Sequence, residues 1–195
     1  MANYRVTVLF FHPFPNRSVV NRALKRAVEK MPEIQFREMY EIYPQFSIDV
    51  DAEQEILAQS DVIVFQHPFY WYNCPSLMKE WIDAVLEKGW AYGDGGNKLE
   101  GKHWFQVIST GGTSEAYTRE GGNRFFMTEL LRPFEQSARL CGMKYLQPFI
   151  VHGARSLSQE ELEAHVARYR DILVEAMSGR LPPEVKSDQK IEELK

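Results

Sequence analysis

Three short segments of this 195-residue chain combine residue types and spacings that could do chemistry together. The first runs His12-Pro13-Phe14-Pro15-Asn16-Arg17-Ser18-Val19-Val20-Asn21 and ends in hydroxyl and amide side chains where a helix begins. Free backbone N–H groups and the helix dipole favour a phosphate at such a place. Taken alone, Ser18 is simply an N-cap. The segment has neither a Walker pattern nor GxGxxG, which disfavours ATP and a Rossmann-bound dinucleotide. The second segment is Pro68-Phe69-Tyr70-Trp71-Tyr72-Asn73-Cys74-Pro75. Its four consecutive aromatics suit a flat ring such as isoalloxazine, which needs stacking faces and edge-on backbone hydrogen bonds. A dimer contact or a loop packed on the core is the plainer alternative. The third is Thr110-Gly111-Gly112-Thr113-Ser114-Glu115-Ala116-Tyr117. Its glycines let the backbone approach a ligand and point N–H groups at it, although Gly-Gly by itself is also an ordinary turn. Donors there, with the Tyr117 phenol, would stabilise the anionic reduced form of a flavin.

Other candidates carry less. Gly93-Asp94-Gly95-Gly96 resembles a phosphate loop but precedes a strand, so it reads as a turn. His67, His103, His152 and His165 lack metal-ligand spacing, and no metal is expected. Cys74 has no paired base and reads as packing.

The elements that position the three segments are apolar runs alternating with helical patterns. Arg5–Phe11, Ile34–Tyr40, Asp61–His67, His103–Ser109 and Tyr145–His152 read as strands, the first buried on both faces. Ser18 starts a helix whose stripe is Val20, Ala23, Leu24, Ala27, Val28 and Met31, ended by Pro32. Asp51 with Gln54 resembles a capping box for a short helix. Pro75 opens another, lined by Leu77, Met78, Trp81, Ile82, Val85 and Leu86. A helix from about Arg124 to Leu140 is expected to bend at Pro133. Ser158 and Glu161 cap the last one. Five strands with helical crossovers imply a doubly wound parallel sheet of flavodoxin-like order 2-1-3-4-5. A ligand then sits at the carboxyl ends of the strands, where all three segments fall. The expected organisation is one domain over residues 1–181 and a polar tail over 182–195.

Composition sets the bounds. A net charge of −4 gives no basic footprint for nucleic acid. Two cysteines without a CxxC pair fit a reducing, cytoplasmic setting. The first residues lack the features of a signal peptide, and no apolar stretch approaches the ~18 residues of a membrane span.

The same loops resemble the NAD(P)H quinone oxidoreductase family with the flavodoxin-like fold. Within it the chain is most similar to the ancillary oxidoreductases of glutathione-gated potassium-efflux antiporters. The matching residues are Phe65-Gln66-His67-Pro68, Trp71-Tyr72, Cys74-Pro75, Lys79-Glu80-Trp81-Ile82-Asp83, Gly89-Trp90-Ala91-Tyr92-Gly93 and Gly101-Lys102-His103. Arg132-Pro133-Phe134, Cys141-Gly142 and Gln147-Pro148-Phe149 extend the likeness, which spans roughly residues 5–175. The resemblance implies a flavin, FMN rather than FAD for so short a chain. It assigns the flavin phosphate to His12, Ser18, Val20 and Asn21. The ring falls to Pro68, Phe69, Tyr70, Trp71 and Tyr72, and its polar end to Thr110, Gly111, Gly112 and Tyr117. It implies hydride transfer from NAD(P)H through the flavin to a quinone, with Tyr117, Gly111 and Gly112 as the catalytic groups. Mammalian-type relatives have a His six residues after this Tyr; here that position is Asn123, so a Tyr–His proton relay is not expected from the spacing. The resemblance also implies a homodimer, and Trp90, Tyr92 and Trp104, if exposed, exceed what a monomer's surface should show. Its alternative implication is a regulatory subunit that binds an antiporter at the inner face of the membrane.

Overall fold

The computed structural model describes residues 3–186 and 193–194, so the first two residues and part of the expected tail lie outside it. The order of elements starts with β1 (Val6–Phe10), α1 (Val19–Val28), β2 (Gln35–Glu38), α2 (Met39–Ile42), α3 (Val50–Gln59) and β3 (Val62–Pro68). It continues through α4 (Ser76–Val85), β4 (His103–Ser109), α5 (Met127–Leu130), α6 (Arg132–Leu140), β5 (Lys144–Tyr145), β6 (Phe149–Val151) and α7 (Gln159–Met177). The sheet is parallel in the order β2-β1-β3-β4-β5, with β6 also on β4.

Strand alternation divides the core into two layers. Val62 and Val64 face α1 and α7, while Ile63 and Phe65 face the side covered by α3, α4 and α6. A fully buried strand needs this unbroken apolar run. On the second side Trp104 stacks on Phe65, ring centroids 4.0 Å apart, and is 0% exposed. Trp90 and Tyr92 are partly buried against the same cluster. Trp104 is therefore core and Trp90 and Tyr92 are half-buried, so these three do not make the exposed aromatic surface that would call for a partner.

Four local expectations also change. The N-cap of α3 is Asp49, which accepts from Ala52 N–H at 3.1 Å, rather than Asp51. Gln54 turns inward instead and donates to the Val85 carbonyl at 3.1 Å. The helix expected from Arg124 is two pieces, broken at Leu131 rather than bent at Pro133, with Pro133 in the first turn of α6. The second strand is cut short at Glu38, and a helical turn takes Met39 into the core. The fifth strand is split: Pro148 has no N–H for the ladder, so β5 and β6 pair β4 on either side of it. The capping box of Ser158 and Glu161 forms as expected.

Candidate functional site

Helix α1 starts where the phosphate loop was expected. Ser18 Oγ accepts from Asn21 N–H at 3.1 Å, which leaves the preceding N–H groups of the first turn without intrahelical acceptors. His12 is buried, and Nδ1 accepts from Phe14 N–H at 3.0 Å. Burial pushes its pKa down to about 4, so the ring is neutral near pH 7 and its proton lies on Nε2. Val20 is different: it is 1% exposed and packs its side chain into the α1–α7 core, so only its backbone is available to a ligand.

Ser109, at the carboxyl end of β4, joins the three loops. Its hydroxyl accepts from Asn21 Nδ2 at 2.7 Å, and its carbonyl accepts from Phe69 N–H at 2.8 Å. The next residue is Thr110. Asn21 Oδ1 is buried and finds no donor among the described residues, an arrangement that commonly marks a place for a ligand or water.

The aromatic loop closes through a two-residue turn. Tyr70 and Asn73 exchange both backbone hydrogen bonds, at 3.2 and 3.0 Å. The central residues, Trp71 and Tyr72, have φ of 51° and 59°. Bulky side chains rarely adopt this left-handed conformation, and strain of this kind clusters at functional sites. Trp71 is 93% exposed, so its side chain gains no core packing in exchange. Tyr72 donates to Asn123 Oδ1 at 3.2 Å, and Phe69 lies edge-on to Tyr117 at 6.2 Å. Cys74 is no nucleophile here, since burial pushes its thiol up to about 11.

In the third loop the Gly112 carbonyl accepts from Thr110 Oγ1 at 2.7 Å and from Gly153 N–H at 2.8 Å. A Cβ on Gly111 would meet only Arg155 Nε, at 3.9 Å, so this backbone faces open space. A Cβ on Gly112 would press on Ala116 and on Tyr117, at 3.3 and 3.4 Å. Tyr117 is largely buried, and burial raises its pKa, which keeps the phenol a proton donor. His152 lies against it, ring centroids 5.5 Å apart. The structure thus gathers His12, Ser18, Asn21, Phe69, Tyr70, Trp71, Tyr72, Thr110, Gly111, Gly112 and Tyr117 at the carboxyl edge of the sheet, beside Pro68 at the end of β3. Ser109, His152 and Arg155 are additions. His152 ends the fifth apolar run, and its place at a strand's carboxyl end was the available signal. A cavity of about 900 Å³, lined by Arg5, Lys30, Gln35 and Arg170, lies at the opposite, amino-terminal edge.

A family model described as the flavodoxin-like fold matches residues 4–173. The chain belongs to the flavodoxin-like family. Within this family it is 43% identical over 180 residues to a glutathione-regulated potassium-efflux system ancillary protein KefG from Pectobacterium atrosepticum, covering 92% of this chain and 96% of the relative. Among solved structures, general stress protein 14 of Treponema denticola, in complex with FMN, is similar at TM-score 0.83 and 34% identity. The alignment covers 89% of this chain and 99% of that one. An NADPH-quinone reductase from P. pentosaceus is similar at TM-score 0.78 and 30% identity, covering 86% and 96%. A chain described as a thermophilic tryptophan halogenase from Streptomycin violaceusniger is similar at TM-score 0.84 and 41% identity, covering 87% and 98%. Flavodoxin-like neighbours of this similarity thus carry different names, and the fold supports a flavin more firmly than any one reaction. No helix among the described residues is long and apolar enough to cross a membrane.

Proposed function

We propose that this flavodoxin-like chain is an FMN-dependent NAD(P)H:quinone oxidoreductase. The observation that carries the reading is Ser109, whose hydroxyl and carbonyl hold the α1 loop and the aromatic loop against the Thr-Gly-Gly loop. Three loops with complementary chemistry are thereby fixed at one switch point.

The residues present fit a flavin mononucleotide. The free N–H groups at the start of α1, with Ser18 and the Nε2–H of neutral His12, suit its phosphate. The unpartnered Asn21 Oδ1 suits a hydroxyl of its sugar-alcohol chain. Trp71, with Phe69, Tyr70 and Tyr72 around it, offers stacking surface. The open backbone at Gly111, with Gly112 packed beside Tyr117, offers donors to the polar edge of the ring. A bound flavin would supply the chemistry of accepting hydride from NAD(P)H and passing two electrons to a quinone. The chain's part is to bind, to orient and to hold the Tyr117 proton.

The likeness to a KefG ancillary protein favours a second reading, a cytoplasmic subunit that activates a potassium-efflux antiporter. The two are compatible, and both go with a homodimer. Exposed Trp71, Tyr72, Phe125 and Phe126 are the aromatic surface for such contacts. The test is direct. Purified protein is expected to be yellow, or to become so with FMN, and to bleach anaerobically with NADPH or NADH and recover with a quinone. Protein that refuses both FMN and FAD overturns the enzyme reading. Flavin-free protein that still binds an antiporter's cytosolic domain supports the second.

A further inference from the structure

The structure extends the site to the C-terminal segment. Thr110 Oγ1 has one proton, and the Gly112 carbonyl at 2.7 Å takes it. The contact of Thr110 Oγ1 with His152 Nδ1, at 3.0 Å, is therefore donated by the ring. On the other side of the ring, Nε2 meets Glu193 Oε2 at 2.8 Å, an ion pair when the imidazole is charged. Glu193 is held by its neighbour: Leu194 N–H donates to the Pro148 carbonyl at 3.0 Å, and its side chain packs on the α1–α7 layer. A continuous chain of contacts thus runs from Glu193 through His152 and Thr110 to the Gly112 carbonyl.

We propose that His152 and Glu193 are positioning residues for the Thr110–Gly112 loop. Glu193 orients the imidazole, the imidazole orients the Thr110 hydroxyl, and the hydroxyl turns the Gly112 peptide. The Thr110 Oγ1–Gly112 carbonyl bond closes a turn that contains the Gly111 and Gly112 N–H groups, and so fixes the backbone that carries them. The relevance to flavin rests on the reading above; the chain of contacts does not. His152 stands beside Tyr117 in space, although the sequence places Asn123 at the spacing where a histidine was sought.

Glu193→Ala, His152→Ala and the double variant are compared with wild type in two ways. Amide NMR of flavin-free protein reads the Gly111 and Gly112 resonances, and FMN titration followed by flavin fluorescence reads affinity. Each single variant is expected to move both glycine resonances and to weaken FMN binding about three- to tenfold, the worth of one hydrogen bond. The double variant is expected to lose no more than His152→Ala, because residues acting in series are not additive. Unmoved glycine resonances in Glu193→Ala, or losses that add in the double variant, overturn the proposal. Should His152→Ala fail to fold, Glu193→Ala decides by itself. Wild-type protein that takes up no FMN defeats the flavin reading, while the glycine resonances still decide the positioning chain.

Discussion

The Asn21 amide donates to the Ser109 hydroxyl at 2.7 Å across 88 residues of sequence, and so pins the start of α1 to the end of β4. The bond is buried, so both partners lose solvent when it forms. Asn21→Ala is expected to cost about 1–3 kcal/mol of stability, because it leaves the Ser109 hydroxyl without this donor. It is also expected to weaken FMN binding by loosening the phosphate loop. Urea unfolding and FMN titration check this together. A variant as stable as wild type would mean that the two loops are held by their backbones alone.

Trp71→Gly separates stability from binding. The native φ of 51° strains a tryptophan but suits glycine, and the exposed ring buries little. The variant is expected to gain about 1 kcal/mol in stability, the low end of the strain range, while losing flavin affinity. A melting temperature that falls would show that the indole packs on the protein more than its exposure suggests.

Tyr117→Phe is expected to slow flavin reduction by NAD(P)H while leaving flavin binding nearly intact. Hydride arrival places negative charge at the polar edge of the ring, so a donor there stabilises the transition state more than the ground state. Loss of one such donor costs up to about 2.7–4 kcal/mol in a dry site. A smaller loss, about tenfold in rate, is expected with the Gly111 and Gly112 amides still in place. Stopped-flow bleaching with equal rates in both proteins would remove Tyr117 from the catalytic groups.

The fold is expected to be acid-sensitive. His67 is fully buried: its Nδ1 donates to the Pro68 carbonyl at 2.9 Å, and its Nε2 accepts from Gln106 at 3.1 Å. Burial holds its pKa down to about 4, as it does for His12. Between the unfolded value near 6.5 and the folded value, the unfolded chain binds protons that the folded chain refuses. Stability is therefore fully present above about pH 6.5 and is lost as pH falls through about 4. His67 alone accounts for roughly 3 kcal/mol at pH 4. Urea midpoints at pH 7, 5.5 and 4 check this, and His67→Gln should flatten the slope. An unchanged slope in that variant would place the acid sensitivity elsewhere.

The strands and most helix starts were legible because local pattern and tertiary role agree. Val62 to Phe65 is unbroken apolar text, and Ser158 with Glu161 is a complete cap. The gathering of Ser18, Trp71 and Gly111 followed from strand order alone. What escaped was set by distant partners. Nothing local says that Trp104 stacks on Phe65, so its burial could not be read from the sequence, and Trp71-Tyr72 gave no hint of a left-handed turn, which normally takes Asn and Gly. Glu193 meets His152 from 41 residues away, with no intervening pattern to announce it.

The break at Pro148 has a consequence for association. Backbone groups left over at that margin of the sheet are taken up by the chain itself. Gln147 N–H donates to the Pro183 carbonyl at 2.9 Å, Val185 N–H donates to the Tyr145 carbonyl at 2.8 Å, and Val185 is 2% exposed. A margin already hydrogen-bonded cannot template a foreign strand, and the opposite margin, β2, is only four residues long. Both routes to ribbon-like aggregation are thereby blunted, which leaves helix faces and loops as the surfaces through which another protein can be met.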